Sequence, residues 1–283
     1  MQVLLLGGHG KVALHLTPLL LNRAWNVTSV IRNPDHEREI LALGAGRKGK
    51  LNVLLSSLDD VKTDADAKKI IDAVSPDYVV WSAGAGGKGG PERTYAIDDR
   101  AAKHFLAAAY ATPRVTKFLL VSWIGSRRTQ PSWVSDDDWA GIQNVFNNVL
   151  PAYAKAKLEA DEYMTALAAQ RKKLIATGAA PGVGPIQSIN LRPGTLTDDP
   201  ATGKVQLGKT ARGMGKVTRE DVAIVADRLL ARADTDGWYD LLNGDEPVDE
   251  AVERVAREKV DAVEGEDVDA MVARFFSSQY TIL

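Results

Sequence analysis

Short apolar runs alternate with longer amphipathic stretches almost throughout this 283-residue chain. Val3–Leu6, Val27–Ile31, Val53–Leu55, Tyr78–Trp81, Phe118–Val121, Ile189–Leu191 and Tyr239–Leu242 are apolar without strict alternation. That is the pattern of parallel strands covered on both faces. Between them, residues 11–22, 65–73, 94–110, 153–169 and 219–231 carry helical periodicity. Strand–helix alternation predicts βαβ units joined by right-handed crossovers. The expected class is α/β: a doubly wound, mostly parallel sheet of about seven strands with helices on both faces and small substrate-side loops.

Two stretches break the rhythm. Residues 123–150 carry Trp123, Trp133, Trp139, the pair Arg127–Arg128 and the triplet Asp136–Asp138, and residues 193–217 are rich in Gly, Pro, Thr and Lys. Both follow strands, and open α/β sheets bind ligands beyond the carboxyl ends of their strands, so both are expected to be substrate-side loops or a small lid. At the C-terminal end, Val252, Val255, Ala256, Val260 and Val263 form one helical stripe. Val268, Met271, Val272, Phe275 and Phe276 form another, with Gly265 between them. The expected division is a sheet domain over 1–245 and a helical appendage over 246–283. The appendage's apolar stripes could serve a homodimer interface or pack within the chain.

Composition narrows the chemistry. There is no Cys, which removes disulfides, thiolate nucleophiles and Cys-based metal sites together. His9, His15, His36 and His104 form no HxxxH or HExxH spacing, so no metal is expected. The net charge of −2 conceals an acidic stretch, 245–269, of −8 against +6 for the rest. A solvated helix face accounts for the acidic stretch, and no basic field recommends nucleic acid or an anionic membrane as a partner. The N-terminal apolar run ends at Gly7, too short for a signal peptide, and a cytoplasmic location is expected.

Strand Val3–Leu6 runs directly into Gly7-Gly8-His9-Gly10-Lys11-Val12-Ala13 and then an apolar helix. In this context Gly7 permits the tight turn and Gly10 a close approach of backbone to a pyrophosphate, while Ala13 lets the helix pack on the strand. The helix start offers free N–H groups and a positive dipole end to the phosphates, with Gly8, His9, Lys11 and Val12 at the contact. The expected cofactor is a nicotinamide dinucleotide. In NAD-binding loops an acid about 20 residues on takes the ribose 2′-hydroxyl. Here strand Val27–Ile31 ends in Arg32-Asn33, and a guanidinium there can clamp a 2′-phosphate, so NADP(H) is expected over NAD(H).

GGHGKVA (7–13), VIRNP (30–34), WSAGAG (81–86), TYAIDDRAAK (94–103), FLLVSWIGS (118–126), YAKAKLEADEY (153–163), NLRPGTLTDDPATGKV (190–205) and TREDVA (218–223) occur in an order and spacing that is specific as a set. Over about residues 1–245 the chain resembles the short-chain dehydrogenase/reductase superfamily and its Rossmann sheet. It is most similar to the atypical, NADP-binding branch that includes the NmrA-like regulators and the epimerase/dehydratase-like proteins. The resemblance implies that Tyr153 is a general acid or base and that Lys157, one helical turn on, lowers its pKa and grips the nicotinamide ribose. It also implies that Ser122 hydrogen-bonds the reacting oxygen. Asp98 stands where the catalytic members have Asn, and its charge would raise the pKa of a neighbouring Tyr or Lys.

By the same likeness Ser57 and Leu58 should border the adenine. Ala83, Gly84 and Ala85 should leave room for the ribose and pyrophosphate, and Arg192-Pro193-Gly194 should pass beside the nicotinamide, with Pro193 in contact. Two functions stay open. One is an NADP(H)-dependent oxidoreductase, or a related epimerase or dehydratase, on a small carbonyl or alcohol substrate. The other is a non-catalytic NADP-sensing regulator.

Overall fold

The computed structural model describes residues 1–86, 89–179 and 182–276; the end of the expected C-terminal segment, 277–283, lies outside the described residues. All seven expected strands are present: β1 (Gln2–Leu6), β2 (Asn26–Ile31), β3 (Leu51–Leu55), β4 (Tyr78–Trp81), β5 (Lys117–Val121), β6 (Gln187–Pro193) and β10 (Gly237–Asn243). They pair in parallel in the order β3-β2-β1-β4-β5-β6-β10. Two features were not expected. β8 (Lys204–Gly208) and β11 (Glu246–Pro247) extend the sheet to nine strands, with β8 antiparallel to both of its neighbours.

β8 corrects the expectation of a loop over 193–217. Within that stretch Val205 and Leu207 alternate inward, and Gly203 and Gly208 supply positive φ of 68° and 95° at its ends. That is the alternating signature of an antiparallel strand with one buried face. The same stretch adds a small parallel pair, β7 (Thr195–Thr197) with β9 (Lys216–Thr218).

Period 2 in the buried strands feeds two cores. Val3 and Leu5 of β1 join α1 (Lys11–Asn22) and α8 (Arg219–Ala231) on one face. Leu4 and Leu6 join α3 (Asp64–Val74), α5 (Ala102–Tyr110) and α7 (Pro151–Thr177) on the other. Between α3 and α5, α4 (Gly90–Thr94) runs through a π-helical turn, Tyr95–Ala101, into α5. α2 (Glu37–Ala42) covers the end of the β2–β3 connection, and α6 (Asp136–Asn144) leads by a second π turn, Val145–Val149, to α7. Val248, Ala251, Val252 and Val255 of α9 (Val248–Arg257) lie in the first core with α1 and α8. α10 (Val268–Phe276) packs Met271 against the Trp238 cluster. Val252, Val255, Ala256 and Met271 of the C-terminal stripes are thus buried within one chain, whereas Val260, Val263, Val268, Val272, Phe275 and Phe276 are half-buried. No helix among the described residues is long and apolar enough to cross a membrane.

Candidate functional site

The strand order reverses direction between β1 and β4, and the crevice beyond their carboxyl ends is where such sheets take ligands. Two cavities lie there and share one floor: Gly10, Ser82, Ala83, Gly84 and Ala85. The smaller, about 320 Å³, extends toward the end of β2 and is bordered by Gly7, His9, Arg32, Leu58 and Asp59. The larger, about 680 Å³, extends toward β5 and α7 and is bordered by Lys11, Val12, Asp98, Ser122, Tyr153 and Lys157. The structure therefore gathers the expected site residues along one trough, with five exceptions. Gly8, Ser57, Arg192, Pro193 and Gly194 border neither cavity.

Most of the exceptions have physical reasons. A Cβ on Gly8 would lie 1.7 Å from the Ser29 hydroxyl of β2, so this glycine serves sheet packing rather than ligand approach. Ser57 caps a short turn by accepting from the Asp59 N–H at 3.3 Å, and its neighbour Ser56 borders the trough instead. Pro193 is buried at the end of β6, where its carbonyl accepts from the Ile124 N–H at 3.0 Å. Arg192 is fully buried and turned away into an ion network.

The glycine turn fits an anion. Gly7 sits at φ +80°, and a Cβ there would lie 2.6 Å from the Ala83 Cα, so only glycine brings this turn against the β4 loop. α1 begins at Gly10 with no side-chain cap and no acidic residue in its first turn. Its leading N–H groups and positive dipole end are left to the trough, an arrangement suited to a pyrophosphate.

At the β2 end, Arg32 lies 3.3 Å from the Asp59 carboxylate, which also accepts from Arg93 Nε at 2.9 Å and Nη2 at 3.1 Å. The Arg93 hydrogen bond, aided by Arg32, holds Asp59 below the usual carboxylate range. His9 stacks on His36 at 3.5 Å between ring centroids and reaches Glu39 at 2.9 Å. Sequence reasoning found Arg32 but missed Asp59 and Arg93. Both reach this point from other connections, and no local spacing announces them.

At the other end, α7 presents Tyr153 and Lys157 on one face, as the four-residue spacing requires. Lys157 Nζ is buried, 3.1 Å from Asp98 Oδ1 and donating to the Val121 carbonyl at 3.2 Å. The π turn carries Asp98 inward, where its other oxygen accepts the Ala85 N–H at 2.8 Å. The expected fall in the Tyr153 pKa is reversed. Burial pushes the phenol up more than Lys157 pulls it down, and Asp98 and Asp161 add to the rise. Lys157 is itself raised, because Asp98 and Tyr153 outweigh its burial.

Ser122 stands at the end of β5 and borders the larger cavity as expected, but its hydroxyl donates inward to Asp161 Oδ2 at 2.8 Å. Asp161 is fully buried and also accepts from Ser126 and, at 2.8 Å, from Arg192, whose Nε reaches Asp240 at 2.7 Å. Asp161 is four residues past Lys157 and eight past Tyr153, on the same helical face, and that spacing was the signal available in the sequence. The outer wall of this cavity is apolar, from Val149, Leu150, Pro151, Ala152 and Leu196.

Comparison with known proteins agrees with this geometry. Residues 7–233 match the sequence profile of a family described as NAD(P)H-binding. A UPF0659 protein of Schizosaccharomyces pombe is 29% identical over 253 residues, covering 87% of this chain and 91% of that protein. An uncharacterized sugar epimerase of Bacillus subtilis, YhfK, is 27% identical, covering 90% of this chain and 100% of its own. Among solved structures, a Bacillus halodurans protein assigned as an NAD-dependent epimerase/dehydratase superposes with a TM-score of 0.67 at 26% identity, covering 90% of this chain and 99% of that one. The sheet order, the uncapped glycine turn and these likenesses converge on a nicotinamide dinucleotide as the cofactor, and the chain belongs to the NAD(P)H-binding family, among the atypical short-chain dehydrogenases/reductases.

Proposed function

We propose that the chain is an NADP(H)-dependent oxidoreductase acting on a small, largely apolar carbonyl or alcohol compound, with Tyr153 as its proton-transferring group. One observation carries this reading: Ser122, Tyr153 and Lys157 border the cavity that shares its floor with the glycine turn. The nicotinamide supplies or accepts the hydride when bound. The chain's own residues do the rest. Lys11, Val12 and the α1 N-terminus hold the phosphates, and Gly84 and Ala85 admit the cofactor backbone. Arg32 takes the 2′-phosphate, supported by its half-exposed position at the end of β2. Tyr153, its pKa raised by burial, keeps its proton at neutral pH and so serves as an acid toward a developing alkoxide.

A second reading, a non-catalytic NADP sensor, is favoured by two contacts: Asp98 holds Lys157, and Asp161 holds the Ser122 proton. Titration with NADPH and NADH, wild type against Arg32→Ala, tests the cofactor assignment. We expect an NADPH preference that Arg32→Ala removes, and an NADH preference indifferent to Arg32 overturns it. NADPH consumption over a panel of apolar ketones, wild type against Tyr153→Phe, separates the two functions. Turnover lost in Tyr153→Phe supports the oxidoreductase, and tight binding without turnover on any compound supports the sensor.

A further inference from the structure

Three buried groups fix where the Ser122 proton points. Ser122 Oγ donates to Asp161 Oδ2 at 2.8 Å, and its only other neighbour in the network is Ser126 Oγ at 3.3 Å, which also lies inward. Arg192 Nη1 donates to the same Asp161 oxygen at 2.8 Å and to Ser126 Oγ at 3.1 Å. A guanidinium only donates, so its contact requires that oxygen to accept. Ser126 in turn reaches the Trp123 carbonyl at 2.9 Å and the Asp161 carboxylate. Whichever inward acceptor Ser122 uses, its proton leaves the cavity and its lone pairs face the cavity. Arg192, Asp161 and Ser126 are all fully buried, so no water competes for these places.

From this we infer that Asp161 is a positioning residue that makes Ser122 a hydrogen-bond acceptor toward the ligand, so that the site selects a hydroxyl-bearing compound over the matching carbonyl. The inference rests on the reading that the larger cavity holds the substrate. A hydroxyl group can donate to Ser122 and accept from the protonated phenol of Tyr153 at once. A carbonyl oxygen meets the lone pairs of Ser122 and must turn that hydroxyl away from Asp161. The wall of Val149, Leu150, Pro151 and Leu196 gives the rest of the compound an apolar character. The ligand class is an apolar alcohol.

The test is calorimetric titration of the NADPH-saturated full chain, in which the alcohol cannot react, with 1-phenylethanol and, under non-turnover conditions with NADP⁺, with acetophenone; each compound is also titrated in the other cofactor state for as long as no absorbance change occurs. We expect the alcohol to bind at least about tenfold more tightly, the size of one net hydrogen bond to a buried acceptor. Ser122→Ala should bring the two affinities together, and Ser122→Thr, which keeps the hydroxyl, should restore the difference. Asp161→Leu, which removes the acceptor, should narrow it, whereas Asp161→Asn should keep it, because Arg192 holds the amide oxygen in the place of Oδ2 and Ser122 still donates to it. Should either Asp161 variant fail to fold, the two Ser122 variants decide alone. Equal affinities in the wild type, tighter binding of acetophenone, or binding of neither compound overturns the inference. A chain that binds NADPH and turns over ketones without this preference leaves the oxidoreductase reading standing, whereas loss of NADPH binding itself defeats that reading.

Discussion

The Lys157–Asp98 pair is the most consequential single contact of the site. Both side chains are buried, and their charges stand 3.1 Å apart. At an effective dielectric constant of about 20, Coulomb attraction at that distance is about 5 kcal/mol, opposed by the desolvation of both ions. Asp98→Asn keeps an oxygen to accept the Ala85 N–H but leaves the Lys157 charge without its counter-ion. Removing one partner of a buried pair costs about 3–5 kcal/mol, and the retained acceptor places this variant at the lower end, about 3 kcal/mol. For a chain of this size that corresponds to a fall in melting temperature of ~6–12 °C. Adding Lys157→Met removes the stranded charge and should recover most of the loss, giving a large coupling in the double-mutant cycle. The same Asp98→Asn exchange should lower the Tyr153 pKa, because a negative charge that opposes the phenolate is gone. Thermal unfolding followed by circular dichroism, and phenolate absorbance corrected with Tyr153→Phe, read the two effects. An unchanged melting temperature together with an unmoved phenolate titration refutes the assignment of this pair.

Gly8→Ala should destabilise the fold by about 1–3 kcal/mol, because the added methyl overlaps the Ser29 hydroxyl of the adjacent strand, yet leave NADPH affinity of the folded protein intact. Chemical denaturation beside a cofactor titration checks both, and a stable variant with weakened NADPH binding would assign Gly8 to the ligand instead. Lys117 is buried at the start of β5, donating to the Leu230 carbonyl at 2.9 Å, and burial lowers its pKa to about 8. Its folded value lies below its unfolded value, so the unfolded chain binds more protons between the two. Stability should therefore rise with pH from about 8 toward the ordinary lysine range. Denaturation midpoints across that window should show the slope in wild type and not in Lys117→Met, and a slope that survives the exchange assigns it to another group.

Much of the fold was legible because its causes are short in range. The seven parallel strands are four to seven residues long, each built around a short apolar run, and in all but the edge strand β3 burial demands that pattern wherever the chain goes next. β8 escaped because it is a short antiparallel strand inside a Gly- and Pro-rich stretch, where two inward residues, Val205 and Leu207, carry the whole signal. The glycine turn was legible for a steric reason: a positive φ at Gly7 directly after a strand and before a helix leaves few alternatives. The roles within the turn were not, since Gly8 is explained by Ser29 of a different strand, 21 residues away.

The sequence by itself determined the doubly wound sheet, the trough beyond its strands and the presence there of a phenol, an amine and a hydroxyl. The tertiary structure decided what those groups can do. Lys157 is held by Asp98 from the π turn, the Ser122 proton by Asp161 from α7, and Arg32 by Asp59 from the connection after β3. Each partner is a carboxylate brought from another element. The charge and proton placement of a site depend on distances between elements that no local period encodes. Periodicity places a residue on a face of its own element; packing alone determines which charge it faces.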